Sequence, residues 1–328
     1  MIDYKIMKER ILKVSKDTGI PTKKIWDLFR VLCEGELVEN NKLLQTLGIS
    51  KNTLNQAKGM FTDLLEPSSQ KTKLRGDVLG GIASLFPAGY QLEESLWSIL
   101  ENERYDQVIE LLGRHKDKRP TPNREYDQFT ATVETTAKRA SFLDRNEDIV
   151  GKRLLFLGDD DLTSVAVSSI GKASKVTVLD IDDRILDNIR EIAKDESLEI
   201  DLEEYDARKT LSEGHRQKYD IVFTDPPYTP EGIKLFVSRA IQALDLQNQS
   251  ARIYLCYGNS DSAKERFLPI YELLISSGLM IRWVFDKFNR YKGAESIGST
   301  SSLFVLDITP KTKTLVIKNY DKSIYTNN

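Results

Sequence analysis

The sequence predicts an α/β protein, with a doubly wound, largely parallel sheet preceded by a helical domain. Three observations predict it. From about residue 120 to 309, short apolar runs alternate with segments of helical apolar spacing, which is the pattern of strand and helix taken in turn. Four successive runs end on acidic residues, at the strand ends where a doubly wound sheet gathers its ligand-binding loops. Before residue 119 the periodicity is helical. The 328 residues suit two domains, and 40% hydrophobic with 30% charged residues is ordinary for a globular chain.

The opening "MIDYKIMKERILKVSKD" reads as an amphipathic charged helix and not as a secretory leader, so a cytoplasmic protein with no membrane partner is expected. "TKKIWDLFRVLCEG" has helical spacing and stops at Gly35. "ENNKLLQTLGISKNTLNQAKGMFTDLLE" reads as helix, tight turn at "LGIS" and helix, with Ser50 placed to cap the second. Residues 20–66 thereby resemble a helix-turn-helix or winged-helix module. Nucleic-acid binding would send the second helix into a groove. That helix carries only Lys51 and Lys58 against Asp63 and Glu66, whereas phosphate contacts need several cations on one face, so a packing or dimer-forming unit is favoured. Further helices bridge residues 67–118, and the two prolines of "KDKRPTPNREYDQ" interrupt them. The boundary is placed near Arg119, giving a helical domain 1–118, a sheet domain 119–310 and a tail 311–328 without clear signal.

In the sheet domain "RLLFLG" is the first strand and "LTSVAVSSIG" its helix, and "KVTVLDID" is the second with "RILDNIREIAKD". "IDLEEYDA", "YDIVFTDPPYT" with the helix "GIKLFVSRAIQAL", and "ARIYLCYG" follow. "MIRWVFDKFNRY" and "SLFVLDI" flank a Gly/Ser-rich turn and read as an antiparallel closing pair. A parallel sheet ending this way resembles the Rossmann-like fold of the S-adenosylmethionine-dependent methyltransferases.

The strand ends carry the chemistry. The first is Gly158, Asp159, Asp160, Asp161; the second is Asp180 and Ile181, followed by Asp182 and Asp183, 22 residues beyond Gly158 and near the spacing at which an acid meets adenosine ribose. The third is Asp206 and Ala207, and the fourth is Thr224 to Tyr228, "TDPPY". A carboxylate accepts two hydroxyl hydrogen bonds at once, which fits Asp180 to a ribose, and the same acceptor logic fits Asp206 to an adenine amino group. Asp161 and Asp183 read equally well as helix caps. In "DPPY" two prolines fix φ and remove two amide donors, leaving a stiff loop of carbonyl acceptors between Asp225 and the ring of Tyr228. An amine can be held there by Asp225 and the Pro226 carbonyl while the ring packs on its carbons.

Charge agrees with a cationic ligand. Residues 1–80 hold 14 Lys and Arg against 10 Asp and Glu, whereas residues 159–230 hold 9 against 18. Cys33 and Cys256 lie far apart and there are two histidines, so neither a disulfide framework nor a metal site is expected. Methyltransferases commonly place the methionine carboxylate of S-adenosylmethionine near the turn after the first strand, and three aspartates there oppose it. Like charges about 4 Å apart repel by roughly 4 kcal/mol at an effective dielectric of 20. Decarboxylated S-adenosylmethionine lacks that carboxylate and is a cation, as is a polyamine.

"GDDDLTSVA" after one strand, "DPPYT" after the fourth, the upstream "YDQ" and the helix-turn-helix-like N-terminus together resemble the branched-chain polyamine synthases of thermophiles, the N4-bis(aminopropyl)spermidine synthases, over about residues 20–309. The resemblance implies aminopropyl transfer from decarboxylated S-adenosylmethionine to the secondary amine of spermidine, release of methylthioadenosine, a second transfer giving a quaternary product, and a homodimer. It implies no permanently bound cofactor. Asp159 is then the main catalytic acid and Asp225 holds the acceptor, with Asp160, Asp161, Pro226, Tyr228 and Tyr126 in the polyamine site. Tyr126 and Asp127 close over the ligands, and Gly158, Asp180, Ile181, Asp206 and Ala207 surround the donor. A rival reading is an S-adenosylmethionine-dependent N-methyltransferase acting on nucleic acid or protein; it explains "DPPY" and leaves "GDDD" unexplained. A polyamine-sensing regulator built on a degenerate enzyme domain is opposed by the intact acidic set.

Overall fold

The structure, a computed structural model, describes residues 2–47, 49, 51–68, 70–90, 92, 103–258, 265–292 and 300–326. Two units form. The first comprises Met1–Leu100 with Arg145–Glu147 and Gln247–Ser250, and the second comprises Glu101–Asp144, Asp148–Leu246 and Ala251–Asn328.

In the first unit α1 (Tyr4–Thr18) starts where Asp3 accepts the Ile6 N–H at 3.0 Å and ends at Gly19, whose φ of +71° a residue with a Cβ rarely adopts. It is followed by α2 (Thr22–Leu32), β1 (Val38–Glu39), α3 (Asn40–Leu47), α4 (Lys51–Met60), β2 (Lys71–Thr72) and α5 (Gly76–Ala83). The strands β1 and β2 pair antiparallel, Val38 opposite Thr72. Ile11, Ile25, Phe29, Leu43, Leu54, Phe61 and Ile82 form the core, with the Phe29 and Phe61 rings edge to face at 4.9 Å. Lys58 on α4 donates to the carbonyls of Ser68 and Lys71, so one of the two cations on the expected recognition helix is already tied to its own unit. Ser50, the expected cap, lies outside the described residues, as do residues 93–102, which were read as helix.

The second unit runs α6 (Glu103–Arg114), β3 (Thr130–Ala131), α7 (Val133–Arg145), β4 (Arg153–Leu157), α8 (Thr163–Ile170), β5 (Lys175–Asp180), α9 (Asp183–Asp195), β6 (Asp201–Glu204), β7 (Ile221–Thr224), α10 (Pro230–Ala243), β8 (Arg252–Tyr257), α11 (Leu268–Ser276), β9 (Met280–Lys292) and β10 (Thr300–Asp307). Its eight-stranded sheet has the order β3-β9-β10-β8-β7-β4-β5-β6. The five strands from β8 to β6 are parallel, and β10 returns antiparallel between β8 and β9. This is the doubly wound sheet that the alternation predicts, with the antiparallel closing pair in place.

Two segments sit elsewhere than the sequence divides them. The helix α6, on the N-terminal side of Arg119, belongs to the sheet unit because Arg114 and His115 both reach Glu196 just past α9, at 2.8 and 2.7 Å. The tail also belongs to it: Ile324 and Tyr325 are buried in its core, and the buried Arg239 donates to the carbonyls of Val316 and Lys318. Among the described residues no helix is long and apolar enough to cross a membrane.

Candidate active site

Strand order reverses between β4 and β7, which lie side by side with Leu157 opposite Thr224, and each leads away to an opposite half of the sheet. Loops leaving the carboxyl ends of two such strands diverge and leave a crevice. Here the loops are "GDDD" and "DPPY". Gly158 turns the chain with φ +75° and donates its N–H to the Leu179 carbonyl at 2.8 Å. On the other side α10 comes so close to the "DPPY" loop that a Cβ on Gly232 would stand 2.8 Å from the Pro227 carbonyl oxygen. The cleft encloses about 740 Å³ including its open mouth. Gly158, Asp160, Asp180, Ile181, Ala207, Asp225, Pro226, Tyr228, Tyr126 and Asp127 line it. Asp159, Asp161 and Asp206 do not.

The three consecutive aspartates point three ways. Asp159, expected as the catalytic acid, turns both oxygens onto the start of α8, accepting the N–H groups of Thr163 at 2.8 Å and Ser164 at 3.0 Å. It is a helix-capping acceptor, and burial pushes its carboxyl up to about 7. Asp161, expected at the polyamine, lies behind the cleft: Oδ1 accepts from Arg119 at 2.9 Å and from the Ala131 N–H at 2.6 Å, and Oδ2 accepts from Arg139 at 2.8 Å. Two guanidinium groups therefore hold it, and it caps no helix. Asp160 alone faces the cleft. Its backbone carbonyl is held by Arg119 at 2.6 Å, while its carboxylate makes no side-chain hydrogen bond among the described residues. Burial, and next the charge of Asp161, push its carboxyl well above the usual range.

Asp225 is the second cleft carboxylate and is fully engaged from behind. Oδ1 accepts from the Tyr228 hydroxyl at 3.1 Å, and Oδ2 accepts from the Tyr291 hydroxyl at 2.5 Å and from Arg139 at 2.9 Å. Burial raises its pKa and Arg139 opposes the rise. Asp180 lies across the crevice, its oxygens accepting the N–H groups of Asp159 at 2.8 Å and Asp182 at 2.9 Å, which ties the first strand's turn to the second's. Burial pushes it up to about 6. Asp182, not Asp183, caps α9. Asp206 is turned away from its expected adenine role: Arg208 takes its oxygens by a backbone N–H at 2.9 Å and a side-chain bond at 3.0 Å. Burial would raise its pKa, but the hydrogen bonds from Arg208 outweigh burial and hold it below the usual range. Ala207, its neighbour, is the residue that reaches the cleft.

Gln128 of the upstream "YDQ" lines the cleft, its amide donating to Asp182 at 3.0 Å. Several other lining residues carried no sequence signal for a site. Phe129 follows that segment. Tyr205 precedes Asp206, Tyr291 comes from β9, and Tyr325 comes from the tail, its ring 5.6 Å from that of Tyr126. Asp127 accepts the backbone N–H and hydroxyl of Thr326 at 2.9 and 2.7 Å, which seats the tail against the loop expected to close over ligands. A charged residue on the apolar side of α7, Arg139, was the one readable hint, since a buried charge has to be paired.

Residues 107–327 match the profile of the branched-chain polyamine synthase A C-terminal domain. An uncharacterised protein of Methanocaldococcus jannaschii is 34% identical over 70% of this chain and 56% of its own length. An N(4)-bis(aminopropyl)spermidine synthase of Thermococcus kodakarensis is 30% identical over 71% of this chain and 66% of its own. The matches thus span between half and two thirds of these curated relatives. The branched-chain polyamine synthase of Thermus thermophilus, solved in complex with N4-aminopropylspermidine and 5'-methylthioadenosine, superposes with a TM-score of 0.61 over 97% of each chain at 21% identity, a likeness of fold.

Proposed function

The chain belongs to the branched-chain polyamine synthase family, and from that premise we propose that it is an aminopropyltransferase, moving the aminopropyl group of decarboxylated S-adenosylmethionine to a secondary amine of spermidine or a related polyamine and leaving methylthioadenosine. The observation that carries this reading is the lining of the cleft. Asp127, Asp160, Asp180 and Asp225 line it with aromatic rings, and no lysine, arginine or histidine does so among the described residues. Such walls favour cations by charge and by ring faces, and disfavour a donor that still bears a carboxylate.

In the proposed reaction the amine lone pair attacks the methylene carbon beside the sulfonium. A C–N bond forms, the C–S bond breaks, and its electron pair stays on sulfur as the neutral thioether. The nitrogen must lose a proton to attack. Asp160 supports this step, because its carboxylate is the one in the cleft that accepts no hydrogen bond among the described residues, and burial raises its proton affinity. Asp225 and the Pro226 carbonyl hold the acceptor amine, Tyr228 packs along its carbons, and Asp180 with Gly158, Ile181 and Ala207 receives the adenosine end of the donor.

The test is mass spectrometry of spermidine incubated with purified protein and either donor. An added aminopropyl group with decarboxylated S-adenosylmethionine, together with methylthioadenosine, is expected. Methyl transfer from ordinary S-adenosylmethionine with no aminopropyl transfer would sink the proposal.

A further inference from the structure

Arg139 carries a full positive charge with none of its side chain exposed, and it does not line the cleft. Its donors reach Asn289 Oδ1 at 2.8 Å, Asp161 Oδ2 at 2.8 Å, Asp225 Oδ2 at 2.9 Å and the Tyr291 hydroxyl oxygen at 3.0 Å. Burying a guanidinium costs several kcal/mol unless its partners are charged and well placed. The partners here form an alternating chain, Arg119, Asp161, Arg139, Asp225. Asp161 is shared by two guanidinium groups, whereas Asp225, at the end of the chain and in the cleft, has one.

We infer that Arg139 is a positioning residue for the proposed transfer, acting through Asp225 by fixing the plane of its carboxylate and keeping it ionised for the acceptor amine. The inference rests on the aminopropyltransferase reading. The groups facing Asp225 are Arg139 from α7, Asp160 and Asp161 from the loop after β4, Tyr228 from its own loop, Cys256 from β8 and Tyr291 from β9. Arg139 is the cation among them. The two aspartates and burial favour a proton on Asp225, and Arg139 with the two phenols opposes it. If Asp225 took up that proton it would present an O–H to an amine that needs an acceptor. The fork of the guanidinium also matters: Nη1 and Nη2 bond carboxylates on two different loops, so one rigid plane sets the "GDDD" loop against the "DPPY" loop.

The test measures spermidine binding by calorimetry and initial aminopropyl-transfer rates between pH 6 and 9, for the wild type and for Arg139→Met, Arg139→Lys and Tyr291→Phe. In Arg139→Met the acid limb of kcat/KM is expected to move up by at least roughly one pH unit, with KM for spermidine raised about tenfold at pH 7 and recovering at pH 9. Arg139→Lys keeps the charge without the fork, so its acid limb stays near that of the wild type while KM rises. Tyr291→Phe removes one donor from the same oxygen and moves the limb in the same direction by less, which keeps the test decisive if Arg139→Met does not fold. Variants with lowered thermal stability but wild-type pH profiles and KM would overturn the inference and make Arg139 a purely structural ion pair. A wild type that binds spermidine with the expected pH dependence but transfers no aminopropyl group would instead overturn the wider reading, and the binding arm would still report on Arg139.

Discussion

The proposed transfer of the catalytic role from Asp159 to Asp160 makes the sharpest prediction. Asp159 holds the N–H groups of Thr163 and Ser164, and both of those residues are fully buried, so water cannot replace a lost acceptor. Asp159→Ala leaves two buried donors unsatisfied at about 1–3 kcal/mol each, hence a loss of roughly 2–6 kcal/mol. For a unit of this size that lowers the melting temperature by about 5–25 °C. Asp159→Asn keeps one acceptor oxygen and should recover most of the stability with turnover within a few-fold of wild type. Asp160→Asn removes the cleft carboxylate that accepts no hydrogen bond among the described residues, so kcat should fall by about 10²–10⁴. Its melting temperature at pH 8 should stay or rise, because the replaced carboxyl is one that burial disfavours in its charged form. Circular-dichroism melts and single-turnover rates on the three variants decide the matter. The reasoning fails if Asp159→Asn loses two decades of rate at an unchanged melting temperature while Asp160→Asn turns over normally.

Two other outcomes follow from the carboxyl groups in and beside the cleft. Decarboxylated S-adenosylmethionine should bind at least about tenfold more tightly than S-adenosylmethionine, a fraction of the roughly 4 kcal/mol that unscreened like charges about 4 Å apart would give; calorimetry finding the reverse order would refute the anion-excluding cleft. Folding stability should fall with rising pH between about 4 and 7, because Asp159 and Asp180, pushed up to about 7 and about 6, still hold protons in the folded chain that the unfolded chain has already released. Their contribution is complete below the unfolded carboxyl range and is lost as pH passes the folded values. Denaturant titrations in which Asp159→Asn and Asp180→Asn leave that slope unchanged would remove these two groups as its source.

The sheet was legible because four successive strand runs end on acids, the first of them through a glycine, and periodicity separates such runs from the helices between them. The same signal found both loops of the crevice. It did not say which way each side chain turns. Between Gly158 at φ +75° and Leu162 at φ +58° the chain twists so sharply that neighbouring aspartates diverge, and the alternation rules of a strand do not apply. The direction of Asp161 depends on Arg119 and Arg139, two arginines upstream of the motif. Tyr291 reaches the cleft past an irregularity in β9, where Lys287 has φ +53° and the register against β10 shifts between Ser301 and Leu303. Tyr325 arrives from a tail without clear signal, and its neighbours are held by residues distant in sequence, the Ile324 carbonyl by the Thr229 hydroxyl and Thr326 by Asp127, rather than by any local pattern.

Three adjacent carboxylates are thus compatible with an acidic cleft because the fold separates their electrostatics. One is satisfied by backbone amides at a helix start and one by two guanidinium groups, which leaves a single acid of the motif to the ligand. Had all three faced the crevice, mutual repulsion and burial would have kept most of them protonated, and a neutral wall attracts no cation. With two consumed by structure, Asp160 and Asp225 remain as a pair whose raised proton affinities are set mainly by burial. A polyamine entering between them supplies the opposing charge that burial withheld, so its binding should lower both affinities and release protons to solvent. In the proposed transfer, Asp225, held by Arg139 and two phenols, is the acid more easily kept ionised, and Asp160, which accepts no hydrogen bond among the described residues, is the one left to take a proton from the attacking nitrogen.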